Sequence, residues 1–396
     1  MSITRVAGKG DMRRIFSLVH SIAYRVRHFL RHLVVADVRH RVRVASDRYG
    51  VSIPRVLWRI AELYARDRFL PRESLMYGLV DPSVPISARR RQFSDERLHG
   101  FQGMINSPET AICRDKLAFH SYCRDYGLPV PNLYALVSPL GSRTTSGKVL
   151  VNEGQWGGFV NGDLPDHLIV KPRTGKQGRD IRRLSSNEAS LLPVLKALEQ
   201  DSEDWLVQEC LSAHDRVREL TGSSSISSVR IFTLMNDNSV PEIMDAYFRV
   251  ICGDSVTDNI SDYATGRKSG NIVATPDLTS GVLWQAWRAN HDGVGYQWIN
   301  EHPVSGRSLK GFGIPYWPEV IALVKVAATS FLPIRTAGWD VAITDSGPVL
   351  IEVNERFQNS GIGPSTERFW HALEQECERL RAVSSRVRRR HLGDQI

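Results

Sequence analysis

From Gly338 to Asn354 the chain reads as two short strands folded back on each other, and that fold-back decides which acidic side chains can meet. A turn at Asp345-Ser346-Gly347, with Gly347 in the left-handed position a three-residue loop needs, sets Thr344 opposite Pro348, Ala342 opposite Leu350 and Asp340 opposite Glu352. Strand alternation then collects Val341, Ile343, Val349, Ile351 and Val353 on one face and Asp340, Glu352 and Asn354 on the other. Directly opposed residues have Cβ atoms about 5 Å apart, so the two carboxylates are held close. Ionised acids at that range repel unless one takes a proton or a cation lies between them. Two acids and an amide carbonyl form an all-oxygen set that suits Mg²⁺ and leaves room for water and phosphate. The alternative is a surface hairpin with polar residues on its solvated side. The hairpin alone does not choose between these.

A chain of 396 residues, 42% hydrophobic and 24% charged, is long enough for two or three packed lobes. No stretch reads as a secretory signal or a membrane span, because the apolar runs are short and broken by Arg and His. Five cysteines (Cys113, Cys123, Cys210, Cys252 and Cys377) show neither paired nor metal-ligand spacing, which suits reduced thiols in the cytoplasm. The net charge of +8 is unevenly spread. Residues 1–70 hold 15 Lys or Arg against 5 Asp or Glu, residues 379–396 hold 6 against 1, and the body between them holds 30 against 37. The basicity belongs to the ends, so no nucleic-acid footprint is expected across the body.

Apolar residues recur at helical spacing from Met12 to Ala36 among arginines and histidines, which predicts a basic amphipathic helix. A second helix is expected over Pro54–Arg68. These helices either dock on the body or attach peripherally, through residues 12–36, to an anionic membrane surface or a partner. Residues 71–105 read as a connector with short turns. A helix over Asp115–Tyr126 closes at Gly127, a Gly/Ser-rich region with strand fragments fills 138–166, and strands follow at His167–Lys171 and Trp205–Cys210 with a helix over Asn187–Gln200 between them. Further strands at Val229–Met235, Glu242–Ile251 and Asn271–Thr275, a helix at Trp317–Phe331, the hairpin and a last helix over Thr366–Val383 make the class α+β.

Four other segments carry candidate chemistry. Val170-Lys171-Pro172-Arg173-Thr174-Gly175-Lys176-Gln177-Gly178 sets a lysine at a strand end before a glycine-bearing loop, where amides can approach phosphate oxygens; an ordinary turn has the same look. It fits neither a Walker loop nor a dinucleotide fingerprint. Trp205-Leu206-Val207-Gln208-Glu209-Cys210 is a strand able to offer main-chain groups to an adenine edge, or simply a core strand with a solvated end. Arg230 and Arg249 each stand inside an apolar strand, where a guanidinium needs a carboxylate or a phosphate.

The order of these pieces resembles the ATP-grasp superfamily over about residues 105–358. Asp115-Lys116 precedes a helix and Gly127-Leu128-Pro129-Val130-Pro131, and then come the lysine–glycine loop, Val207-Gln208-Glu209, Ser228-Val229-Arg230, and Asp340 with Ile351-Glu352-Val353-Asn354. Asp258-Asn259, Gly266 to Asn271, His302-Pro303 and Ile314-Pro315-Tyr316-Trp317 are similar to the sugar-transfer-associated branch, related to α-L-glutamate ligases. The resemblance implies an ATP-grasp fold of two α+β lobes clamping ATP after a mainly helical N-terminal region. It implies boundaries at 1–100 for that region, 101–205 for the first lobe, 206–360 for the metal-bearing lobe and 361–396 for a C-terminal helix and basic tail.

The resemblance also implies roles. Lys116 and Lys171 would hold phosphates, and Gly175, Lys176 and Gly178 would form the loop over the triphosphate. Gln208 and Glu209, with the main chain through Leu211, would line the adenine pocket, and His214 or Asp215 would meet the ribose. Asp340, Glu352 and Asn354 would bind two Mg²⁺ ions, for which Mn²⁺ can substitute. Arg230 would face the transferred phosphoryl group, Arg249 the acceptor carboxylate or acyl phosphate, and the Gly266–Asn271 loop would border the acceptor. The implied activity is an ATP- and Mg²⁺-dependent carboxylate–amine ligase making an amide through an acyl phosphate, in polysaccharide or amino-sugar and amino-acid conjugate synthesis. Its partners would be a small carboxylate and an amine, and its place the cytoplasm or the inner membrane face. Competing readings are a phosphotransferase on the same scaffold and a non-catalytic nucleotide-binding scaffold protein.

Overall fold

The computed structural model describes residues 9–106, 111–162, 164–175, 178–186, 190–253, 257–260 and 269–393. Packing divides the chain into two units. The first comprises the chain up to Ile86 with Ser94–Arg97 and Asp292–Tyr296. Its helices are α1 (Lys9–Leu33), α2 (Ala36–Tyr49), α3 (Ile53–Asp67) and α4 (Pro71–Met76). Val56, Ile60 and Leu63 of α3 and Val38, Val42 and Ala45 of α2 are buried, each set at helical spacing. Phe29 of α1 stacks on Tyr64 with centroids 5.0 Å apart. The basic helix expected near residues 12–36 and that expected at 54–68 are both present, but α2 between them was not anticipated. Its Val38-Arg39-His40-Arg41-Val42-Arg43-Val44 run alternates like a strand; burial of Val38, Arg41, Val42 and Ala45, with Arg41 bonded to Asp37 at 2.9 Å one turn earlier, makes it a helix.

Helix α5 (Asp95–Ile105), together with α4, replaces the predicted connector over 71–105; a buried stripe of Leu98, Phe101, Gln102 and Ile105 defines it. Then come α6 (Ala111–Arg114) and α7 (Lys116–Asp125), the latter capped by Asp115, whose carboxylate accepts from the amides of Leu117 and Ala118.

Sheet A holds β1 (Leu133–Val137), β2 (Ser142–Thr144), β3 (Val149–Leu150), β4 (His167–Pro172), β5 (Arg182–Ser185) and β6 (Trp205–Glu209) in the order β3-β2-β1-β6-β4-β5. Helices α8 (Glu153–Val160), which the Gly/Ser-rich reading missed, and α9 (Leu191–Glu199) bury one face through Trp156, Leu191 and Leu195 on Val137, Val170 and Val207. Alternation turns Ile169, Lys171, Leu206 and Gln208 to the other face.

Sheet B holds β7 (Ser228–Met235), β8 (Pro241–Val250), β9 (Ile272–Pro276), β10 (Leu283–Ala289), β11 (Tyr296–Trp298), β12 (Thr336–Thr344) and β13 (Gly347–Asn354) in the order β11-β10-β9-β8-β7-β12-β13. Helices α10 (Asp215–Thr221) and α11 (Trp317–Ser330), with Phe119 and Cys123 of α7, form the core against Val229, Ile231, Phe248, Val341 and Leu350. The opposite face carries Arg230, whose register partners are Asp340 on β12 and Tyr247 on β8. Lower on that face Phe232 packs against Phe357 and against Phe369 of α12 (Pro364–Gly393).

The β12–β13 hairpin corrects the sequence reading in an instructive way. Its turn is one residue tighter than expected, so Thr344 faces Gly347, Ile343 faces Pro348 and Ala342 faces Val349. Gly347 does take a positive φ, +114°. An irregularity between Asp340 and Val341 then adds one residue to β13 and shifts the register back, so that Asp340 faces Glu352 after all. The expected apolar face is wrong in detail: Leu350 and Val353 are buried in the core, while Val349 and Ile351 are half-buried.

Candidate active site

Asp340 and Glu352 are direct cross-strand partners, and Asn354 follows on the same edge strand opposite Gly338. Burial and then the Asp340 charge push the Glu352 carboxyl above its ordinary range, with Lys116, Arg230 and Lys171 opposing. Among the described residues its carboxylate makes no ion pair. Asp340 goes the other way. Burial would raise it, yet Arg230 and Arg249 together hold it ionised. Arg230 grips both Asp340 oxygens through Nε and Nη2, the second at 2.5 Å, and Arg249 Nη2 reaches the same carboxylate at 2.9 Å.

The sequence reading gave Ser228 and Asp258 no role, and both belong to this cluster. Asp258 accepts from the Ser228 amide at 2.8 Å and hydroxyl at 2.5 Å, and its other oxygen lies 3.4 Å from Arg249 Nε. Arg249 Nη2 also donates to Ser228 Oγ at 2.6 Å. Burial raises the Asp258 carboxyl, and Arg249 and Ser228 only partly offset it. The available signal was chemical: a buried guanidinium such as Arg249 needs more than one acceptor.

The two lysines arrive from different elements. Lys171 ends β4 with its side chain almost wholly buried; burial and then the Lys116 ammonium bring it down to about 8, with Glu352 opposing. Lys116 opens α7, and burial lowers it while Glu352 and Asp115 oppose. Both ammonium groups therefore feel Glu352, and Lys171 feels Lys116. These mutual effects put the two ammonium groups in one neighbourhood with Glu352. A clamp sets their separation: the Lys116 amide donates to the Arg173 carbonyl at 3.0 Å, and Arg173 pairs with Asp115 at 2.6 Å and Asp204 at 3.0 Å.

Lys116 Nζ also donates to the Gly175 carbonyl at 2.9 Å, so the glycine loop folds over the lysine. Lys176 lies outside the described residues, as do residues 266–268 of the proposed acceptor loop. Gln208 and Glu209 face the segment before β1: Gln208 donates to the Pro131 carbonyl at 3.3 Å, and Glu209 accepts from Asn132 Nδ2 at 2.9 Å. His214 caps α10 by accepting from the Arg216 amide and lies edge-on to Tyr316, while Asp215 pairs with Arg218 beside the hairpin tip at Asp345.

The model of one protein family, described as sugar-transfer associated ATP-grasp, matches residues 96–365. The chain belongs to the sugar-transfer associated ATP-grasp family. ATP-grasp enzymes use ATP and Mg²⁺. No curated protein matches the sequence. Solved structures similar to it include L-amino acid ligase from Bacillus licheniformis (12% identity, 62% of this chain and 41% of that one, TM-score 0.35), D-alanine–D-alanine ligase from Bacillus anthracis (11%, 69% and 70%, 0.36) and N5-carboxyaminoimidazole synthetase from Staphylococcus aureus (12%, 72% and 58%, 0.38). An ATP-grasp ligase named PsnB, similar at 15% identity and TM-score 0.33, was solved with Mg and ADP. The chain spans between 41% and 64% of the length of the first three solved structures it matches.

For an ATP-grasp enzyme the donor set fits Mg²⁺. Among the described residues Glu352 makes no hydrogen bond or ion pair, and the half-buried Asn354 leaves its amide nitrogen without a hydrogen-bond partner. Among the described residues no group of three His, Cys, Asp or Glu side chains converges, so a cation here would need the amide and ligand oxygens as well as the two acids. Gly178 supplies a test of how the loop seats. Its φ is +67°, and a Cβ there would lie 2.8 Å from Asn259 Nδ2 and from Thr257 Cγ2. Gly178→Ala is expected to weaken ATP binding about tenfold, from a strained backbone and a displaced loop. Calorimetric titration with ATP checks it; unchanged affinity removes Gly178 from the site.

Proposed function

We propose that the chain joins a small carboxylate to an amine at the expense of ATP. The observation that carries this reading is the convergence of Lys116, Lys171 and Glu352 beside an Asp340 already gripped by Arg230 and Arg249. The lysines meet phosphate oxygens. The main chain of Cys210 and Leu211, just past the end of β6, offers its polar groups to the adenine edge, with His214 or Asp215 near the ribose. Glu352, Asn354 and Asp340 would hold one or two Mg²⁺ ions (or Mn²⁺), which neutralise phosphate charge when bound.

In the first step an acceptor carboxylate oxygen attacks the γ-phosphorus, the bond to the β-phosphate oxygen breaks, and ADP leaves an acyl phosphate. The amine nitrogen then attacks the acyl carbon, inorganic phosphate departs with the electron pair, and the nitrogen loses a proton. Arg230 would accompany the transferred phosphoryl group, and Arg249 would orient the acceptor carboxylate. Their work is positioning and charge neutralisation. The description of the family as sugar-transfer associated supports a setting in polysaccharide or amino-sugar conjugate synthesis, and five free cysteines support the cytoplasm.

The test is a screen of pooled carboxylates and amines for ATP-dependent products whose mass equals the sum of the reactants less one water. ADP release that requires both partners is the expected result. Release with a hydroxyl compound alone selects phosphotransfer instead.

A further inference from the structure

The first unit carries a surface that the ligase reading does not use. One face of α1 is docked through Phe29 on Tyr64. A second row remains open: Ile22, Val26 and Leu30 recur every fourth residue, lie on one side of the helix and are 51%, 52% and 48% exposed. Val34, just after the helix, continues it. Trp58 on α3 is 55% exposed with the Arg55 guanidinium 5.1 Å above its ring. Large apolar side chains at that exposure form a row and not the scattered singles of an ordinary surface.

The charge on this unit decides the occupant. Arg25, Arg27, Arg31, Arg39, Arg43 and Arg55 are exposed and form no ion pair among the described residues. Most of the acids nearby are already engaged, Asp37 by Arg41 and Arg72, Glu62 by Arg59 and Arg66, and Asp292 by Arg48, while Asp47 is exposed with no ion pair among the described residues. An apolar row edged by unpaired arginines, with an exposed tryptophan, matches a lipid bilayer of net negative charge: apolar side chains enter the acyl boundary while guanidinium groups meet phosphate headgroups. Among the described residues no helix is long and apolar enough to cross a membrane, so contact would be from one side. We infer that the first unit binds anionic bilayers through the Ile22–Val26–Leu30 row and its flanking arginines.

The full chain, without ATP or substrates, is sedimented with phosphatidylcholine vesicles that contain or lack phosphatidylglycerol. Binding only to the anionic vesicles, suppressed by high salt, is expected. Arg25, Arg27 and Arg31 all changed to glutamine should bind about a hundredfold more weakly. Ile22, Val26 and Leu30 all changed to serine should bind at least about tenfold more weakly. These side chains are exposed, so unchanged thermal unfolding is the control for folding. No binding, equal binding to uncharged vesicles, or full binding by both variants overturns the inference. So does a dimer that the serine variant dissociates while the parent ignores vesicles. Because no nucleotide is present, the outcome is independent of whether the active site is that of a ligase.

Discussion

Glu352→Gln is expected to lower ATP turnover about a thousandfold or more while leaving a folded protein whose metal-free unfolding temperature equals or exceeds the parent's. The carboxylate sits directly across from Asp340, has no partner among the described residues, and is held above its ordinary range by burial and by that neighbour. The fold therefore carries its charge at a cost, which an amide of the same shape removes. Under the proposed function that charge is offset by the affinity of this corner for a divalent cation. ADP release and thermal unfolding in chelator, measured on one preparation, separate the two effects. Mg²⁺-dependent turnover within about tenfold of the parent would take Glu352 out of the metal site.

Lys171→Met should show the same opposition more sharply. Loss of the ammonium is expected to weaken ATP binding about a hundredfold and to raise the stability of the nucleotide-free protein near pH 7. The pH dependence has a definite sign. Burial and Lys116 bring the folded-state value from 10.5 to about 8. Between those values the unfolded chain binds more protons than the folded one, so the parent gains stability as pH rises through this window and the methionine variant gains correspondingly less. In the parent, ATP affinity should fall as pH climbs above about 8, because the site then loses the charge that phosphate requires. Unfolding curves and ATP titrations from pH 7 to 10 on both proteins test this; identical pH profiles would place Lys171 outside the phosphate site.

Most of what positions the site was readable because it depends on local rules. Asp115 before α7 is an N-cap, and the Lys171 strand and the β7 and β8 strands follow from their apolar residues. What escaped was decided by tertiary context. Helix α2 is written in valines that favour strands, and only the packing of Val38, Val42 and Ala45 overrules that preference. The Asp340–Glu352 pairing was reached by an argument with two compensating errors, a loop one residue too long and a missing bulge. No alternation pattern encodes a bulge, so the outer strand's apolar residues were misplaced even though the acids were matched. Asp258 lay in a segment with no periodicity at all, and only the three-dimensional neighbourhood of Arg249 reveals its place.

The clamp between Arg173 and Asp115 limits how the molecule can breathe. It fastens the start of α7 to the end of β4, while Phe119 and Cys123, one and two turns further along, are anchored in the core of the other sheet. The fastening holds the two lysine-bearing stretches of backbone at a fixed distance from each other.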